Sequence, residues 1–96
     1  MKTIKTKTVL VNFKNEPLKT SEGDSLTVGE AVAAILGGHV SNPNLGWILG
    51  KKFATEDKVD LKAEEVVFLK KEIEANQAYF AVVRGQLIEL LEEKDK

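Results

Sequence analysis

The chain has 96 residues, 43% hydrophobic and 30% charged, with a formal net charge of -1; that size and balance fit one globular domain with one core and argue against disorder. The absence of cysteine excludes disulfides, thiolate zinc sites and cysteine nucleophiles, and the near-neutral charge gives no general attraction to nucleic acid or anionic membrane. No stretch approaches the roughly 20 apolar residues that span a bilayer, and "MKTIKTKTVL" lacks the apolar segment of a signal peptide, so a cytoplasmic protein with no membrane partner is expected.

In chain order, "TKTVLVNF" is rich in β-branched residues, "KNEP" supplies turn chemistry and "LKTSEGD" is polar and extended. Together they predict a β-hairpin over 5–22, within an N-terminal β region of 1–24. The lysines at positions 2, 5, 7, 14 and 19 make this region basic, against an acidic tail around Glu89, Glu92 and Glu93. Solvated faces are the plain explanation for both.

The helical region, 25–96, opens on "SLTVGEAVAAILGG". Thr27 followed by Glu30 is a capping box, Val28, Ala31, Val32 and Ile35 recur at helical spacing, and Gly37-Gly38 offers a left-handed stop. In "SNPNLGWILGKKF", Ser41 or Asn42 can cap and Pro43 suits the first helical position of a helix ending near Thr55. Gly46 and Gly50 each cost this helix about 1 kcal/mol relative to alanine, so packing must hold it. "VDL" reads as a short strand, "LKAEEVVFLKKEIEAN" as a third helix and "AYFAVVRGQLIELLEE" as a fourth aligning Phe80, Val83, Leu87, Leu90 and Leu91. The expected fold is α+β: an N-terminal β-hairpin followed by three to four packed α-helices, with no internal repeat.

Catalytic chemistry finds little purchase. His39 is the single histidine and sits in a glycine-rich loop, where a structural contact is the expectation. No phosphate loop, nucleophile elbow or metal-ligand spacing is present, so no enzyme, cofactor or metal is expected. Nucleic-acid binding through Lys51, Lys52, Lys70, Lys71 and the N-terminal lysines is possible but not favoured, because arginine occurs once, as Arg84, and few asparagines or glutamines fall at recognition-helix spacing.

Two aromatic rings fall off their helical stripes. At 100° per residue Leu45, Ile48 and Leu49 cluster while Trp47 lies nearly opposite, and Val66, Leu69 and Ile73 cluster while Phe68 lies on the reverse side. Second apolar faces of this kind either pack inside the domain or await another chain. The glycines flanking Trp47 favour the second option, since they let a neighbour approach closely. The expected interface is therefore Trp47 and Phe68, with Lys51 and Arg84 as rim charges, in a homo-oligomer or against a protein partner of unknown identity.

The segments from "LTVGEAVAAIL" through "LGWILGKKF", "VDLKAEEVVFLKKEI" and "VVRGQLIELLEE" resemble a loose group of short proteins encoded by temperate phages and prophages. The group shares a leading strand, an "LT.GE" helix start, an "ILGKKF"-like segment, a "V.L.AEE...LKK.I" helix and a closing "V.GQ...LLE". The resemblance implies an accessory protein of the infected bacterial cytoplasm that binds a host or phage protein. A nucleic-acid-binding regulator or a minor structural component of the particle are the alternatives. Trp47 departs from the group's pattern, so its role need not be shared.

Overall fold

The computed structural model describes residues 2–20, 22–38, 40–76, 79 and 81–92. His39 and Phe80, to which the sequence assigned a loop contact and a place on the fourth helical stripe, lie outside the described residues. The fold is α+β, with N-terminal β structure and four helices. Strand β1 (Lys2–Lys5) pairs antiparallel with β2 (Lys58–Leu61), Ile4 lying opposite Val59. Alternation sends Ile4, Val59 and Leu61 into the core. On the outer face the Thr3 hydroxyl donates to Asp60 at 2.5 Å.

The N-terminal region turns back on itself where the sequence indicates. Asn12 closes the turn: its Oδ1 accepts from the amides of Lys14 and Glu16, and Asn15 takes the left-handed conformation at φ 67°. Val11 then bridges Pro17, but a third extended piece joins, Lys19 bridging Ser25 and Val9 bridging Thr27. The three pieces meet in a ring of main-chain hydrogen bonds. Leu10 N–H donates to Leu26 O, Leu26 N–H to Leu18 O and Leu18 N–H to Leu10 O, at 2.7 to 2.9 Å. Leu10 is fully buried, and Leu18 and Leu26 pack against the core. These leucines recur every eighth residue.

Helix α1 (Val28–Leu36) starts at Thr27, whose side chain accepts from the Glu30 amide. The Glu30 carboxylate takes the Thr27 hydroxyl at 3.1 Å instead of reaching back to the cap amide. The left-handed stop expected at Gly37-Gly38 is not made: Gly37 is right-handed at φ -78°, and its N–H and that of Gly38 bond Ala33 O and Ile35 O. Tightening of the last turn satisfies those carbonyls without a change of hand. Helix α2 (Pro43–Thr55) is capped by Asn42, which accepts from the Leu45 amide at 3.1 Å. Helix α3 (Ala63–Ala75) opens with Glu65 accepting from the Lys62 amide at 2.8 Å, and helix α4 (Ala81–Glu92) follows it.

Glycines set how α1 and α2 meet. A Cβ on Gly29 would stand 2.5 Å from Phe53 O, and one on Gly46 would stand 2.9 Å from Val40 Cγ2 and 3.5 Å from Leu36 O. The start of α1 thus lies on the end of α2 and its end on the start of α2, so the two run antiparallel. Thr6 ties this pair to the strands. Its N–H donates to Asp57 O, its hydroxyl to Glu56 O, and its carbonyl accepts from the Gly29 amide.

Candidate interaction surface

The orientation of α2 decides what it leaves outside. Gly46, Leu49 and Phe53 are buried, with Leu45 and Gly50 beside them, so the buried stripe is rotated by about 60° from the one hydropathy alone marks out at 100° per residue. Val40 approaches Gly46 closely, and Leu36 lies in ordinary contact with Gly46 and Gly50, so α1 and its connection pack on that side. Gly46 therefore serves a close contact within this chain, while Gly50 has room to spare beside Leu36. Ile48, placed on the core stripe by its spacing, is left 48% exposed.

Trp47 lies outside the packed stripe, 67% exposed. One turn later Lys51 sets its Nζ 4.9 Å from the centroid of the Trp47 ring, a cation-π geometry that holds both side chains against the helix. Beside them runs a groove of about 240 Å³ between α1 and α2, lined by Ala33, Leu36, Gly37, Gly46, Trp47, Gly50, Lys51 and Ala54. Small side chains from both helices leave it open, and the tryptophan forms one wall. The exposed positions of α2, Pro43, Asn44, Trp47, Ile48, Lys51, Ala54 and Thr55, carry no acid, and Lys51 supplies their charge.

The other two expected contact residues are placed elsewhere. Phe68 is half-buried and packs against the core. Its off-stripe position is explained by the width of the buried arc of α3, which runs from Val66 round to Phe68 and includes the buried Glu72. Arg84, on α4, donates from Nη1 to Glu74 O at 3.3 Å, joining α4 to the C-terminal turn of α3. Neither lines the groove beside Trp47. Trp47 and Lys51 are brought together; Phe68 and Arg84 serve the interior and a helix end.

Exposed apolar residues also occur where the sequence reading marked none. Val67 is 67% exposed on α3, and Phe13, beside the Asn12 turn, is 95% exposed. Phe13 lines a groove of about 510 Å³ between residues 8–13 and α4. Gln86 reaches across there, its Oε1 accepting from Val11 N–H at 2.9 Å and its Nε2 donating to Val11 O at 2.5 Å. The amide thereby occupies the main-chain groups a neighbouring strand would need. The signal was present as period-two alternation: Leu10 points inward, so Val9, Val11 and Phe13 share the other face.

Among the described residues no group of three potential metal ligands converges and no helix is long and apolar enough to cross a membrane. The buried carboxylate of Glu72 is engaged structurally, accepting from the amide and hydroxyl of Ser41 at 3.1 and 2.5 Å. That bond ties the α1–α2 connection to α3. No family model, curated protein sequence or solved structure matches the chain.

Proposed function

We propose that this chain is a non-enzymatic protein-protein interaction module whose contact surface is the outer face of α2. Trp47 is the anchor, Ile48 widens the apolar patch and Lys51 is the rim charge. The observation that carries this reading is the exposure of the chain's single tryptophan beside an apolar groove. Tryptophan side chains cover about 150 to 250 Å², so two-thirds exposure leaves about 100 to 170 Å² for a partner to cover. At about 25 cal/mol per Å² that surface offers about 2.5 to 4 kcal/mol. This is the scale of an interface hot spot, and tryptophan is the residue type most often found there.

The likeness to short temperate-phage proteins supplies the biological setting of the proposal: an accessory protein that acts in the bacterial cytoplasm by binding a host or phage protein. Wild-type protein and Trp47→Ala are to be used in parallel as baits in a bacterial lysate, with circular dichroism establishing that both are folded. A protein retained by the wild type and lost with the variant is the expected result. Equal retention by both baits, or nothing retained by either, would remove the α2 face from the account.

A further inference from the structure

We infer that the groove between residues 8–13 and α4 is a second binding site, which takes up an extended segment of another protein as a strand added to the edge at Val9 and Val11. It is independent of the α2 face. Val9 lies opposite Thr27 and Val11 opposite Pro17, and the bonds of each pairing are made by the neighbouring residues. Around Val9, Val28 N–H donates to Thr8 O and Leu10 N–H to Leu26 O; around Val11, Leu18 N–H donates to Leu10 O and Asn12 N–H to Glu16 O. In an antiparallel ladder a residue in such a pair turns its own N–H and C=O to the opposite edge. Gln86 holds those of Val11, and those of Val9 have no partner among the described residues. Main-chain donors and acceptors set out at every second residue are what a strand added to a sheet edge binds.

Gln86 already imitates that strand. Its carboxamide accepts from Val11 N–H and donates to Val11 O, the exchange a residue of a paired strand makes, and its Nε2 also donates to Val82 O at 2.6 Å. The incoming segment displaces it from Val11 and leaves it the Val82 bond, so this side chain is a latch that competes with the ligand. There is room for the segment. The groove measures about 510 Å³, within the roughly 300 to 1,000 Å³ of ligand sites, and a Cβ on Gly85, in its helical wall, would meet nothing within 4 Å. One glutamine side chain spans the gap, so it admits a single extended segment and not a folded sheet backed by its own helix. Val9, Phe13, Val82 and Leu90 make the sides apolar, and Glu89 is the one charged side chain among the described lining residues. The occupant this chemistry selects carries apolar residues at alternate positions and a lysine or arginine within reach of Glu89.

Random heptapeptides displayed on phage and selected on the immobilised full chain supply the probe; the recovered peptides are synthesised and titrated into isotope-labelled protein. The expected result is a set of peptides with alternating apolar residues that shift the amide signals of Val9 and Val11 and slow hydrogen exchange at Val9, with little effect at Leu10, whose amide is already bonded to Leu26 O. N-methylation of one alternate set of peptide amides is expected to abolish binding and of the other set to spare it, because only one set faces the edge. Gly85→Leu, at an exposed helical position with open space around it, fills the groove and is expected to weaken binding about ten-fold or more. Gln86→Ala removes the competing amide and is expected to strengthen binding about five-fold. Trp47→Ala is expected to change nothing, and circular dichroism establishes that each variant is folded. A selection that recovers no peptide, peptides that bind Gly85→Leu as tightly as wild type, a folded Gln86→Ala protein that binds no tighter, or binding indifferent to which amides are methylated overturns the inference. Peptides whose binding depends on Trp47 instead would support the α2 surface and equally overturn this one.

Discussion

Replacing Gly29 by alanine probes the contact that fixes α1 on α2. The added Cβ would lie 2.5 Å from Phe53 O, 3.0 Å from Thr6 Cβ and 3.2 Å from Thr6 O, whereas ordinary contact begins at 3.4 Å. None of these atoms is the loose end of a side chain. Thr6 is pinned by its bonds to Glu56, Asp57 and Gly29 itself, so the main chain of α1 or α2 must move by close to 1 Å. Overpacking of this kind costs about 1 to 3 kcal/mol, and backbone obstruction puts the cost at the upper end. The gain from alanine's helix propensity offsets about 1 kcal/mol of it. The net expectation is about 2 kcal/mol of destabilisation, seen as a fall in melting temperature of about 8 to 16 °C for a domain of this size. Gly85→Ala on α4 is the control, since its Cβ would meet nothing within 4 Å; it is expected to gain about 1 kcal/mol. Urea unfolding of both variants gives the comparison directly. A Gly29→Ala protein as stable as the wild type would refute the close-approach argument.

Gln86→Leu leaves the amide and carbonyl of Val11 without the partners they have here. It is expected to cost about 1 to 3 kcal/mol and to speed hydrogen exchange at Val11 more than at Leu10. Glu72→Ala strips Ser41 of its acceptor and is expected to destabilise by a similar 1 to 3 kcal/mol, while Glu72→Gln, which keeps an oxygen in place, loses less; urea midpoints of the two separate them. Gly50→Ala places its Cβ 3.6 Å from Leu36 Cβ, an ordinary contact, so it is expected to stabilise by up to about 1 kcal/mol, whereas Gly46→Ala, crowded by Val40, is not. Trp47→Ala is expected to change unfolding free energy by no more than about 0.5 kcal/mol, as befits a surface position.

What the sequence revealed was local chemistry. The Thr27 and Asn42 caps, the proline after Asn42, the turn chemistry of "KNEP" and the short strand around Val59 are each written in a few adjacent residues, and each is found in place, with Asn12 closing the turn. Trp47 was legible for the same reason, since one helical wheel sets it apart from Leu49. Pairing across the chain was not legible: β1 meets β2 through residues 57 apart, such as Thr3 and Asp60, and no local pattern encodes that choice. The three-leucine ring likewise depends on main-chain groups that side-chain hydropathy does not report. Ile48 and Phe68 were misplaced by a related omission. Hydropathy gives glycine no weight, yet the close contact at Gly46 turns α2 toward α1 and leaves Ile48 exposed; and the arc that α3 buries is wide enough to enclose Phe68 and Glu72.

The account depends most on the indole of Trp47 being left in water by its own subunit. Because the chain has one tryptophan, its fluorescence reports that residue alone. Measured at about 1 µM, the emission is expected to resemble that of indole in water and to be quenched by acrylamide nearly as readily as free tryptophan. A blue-shifted emission that acrylamide hardly touches would place the ring in the interior and contradict the account.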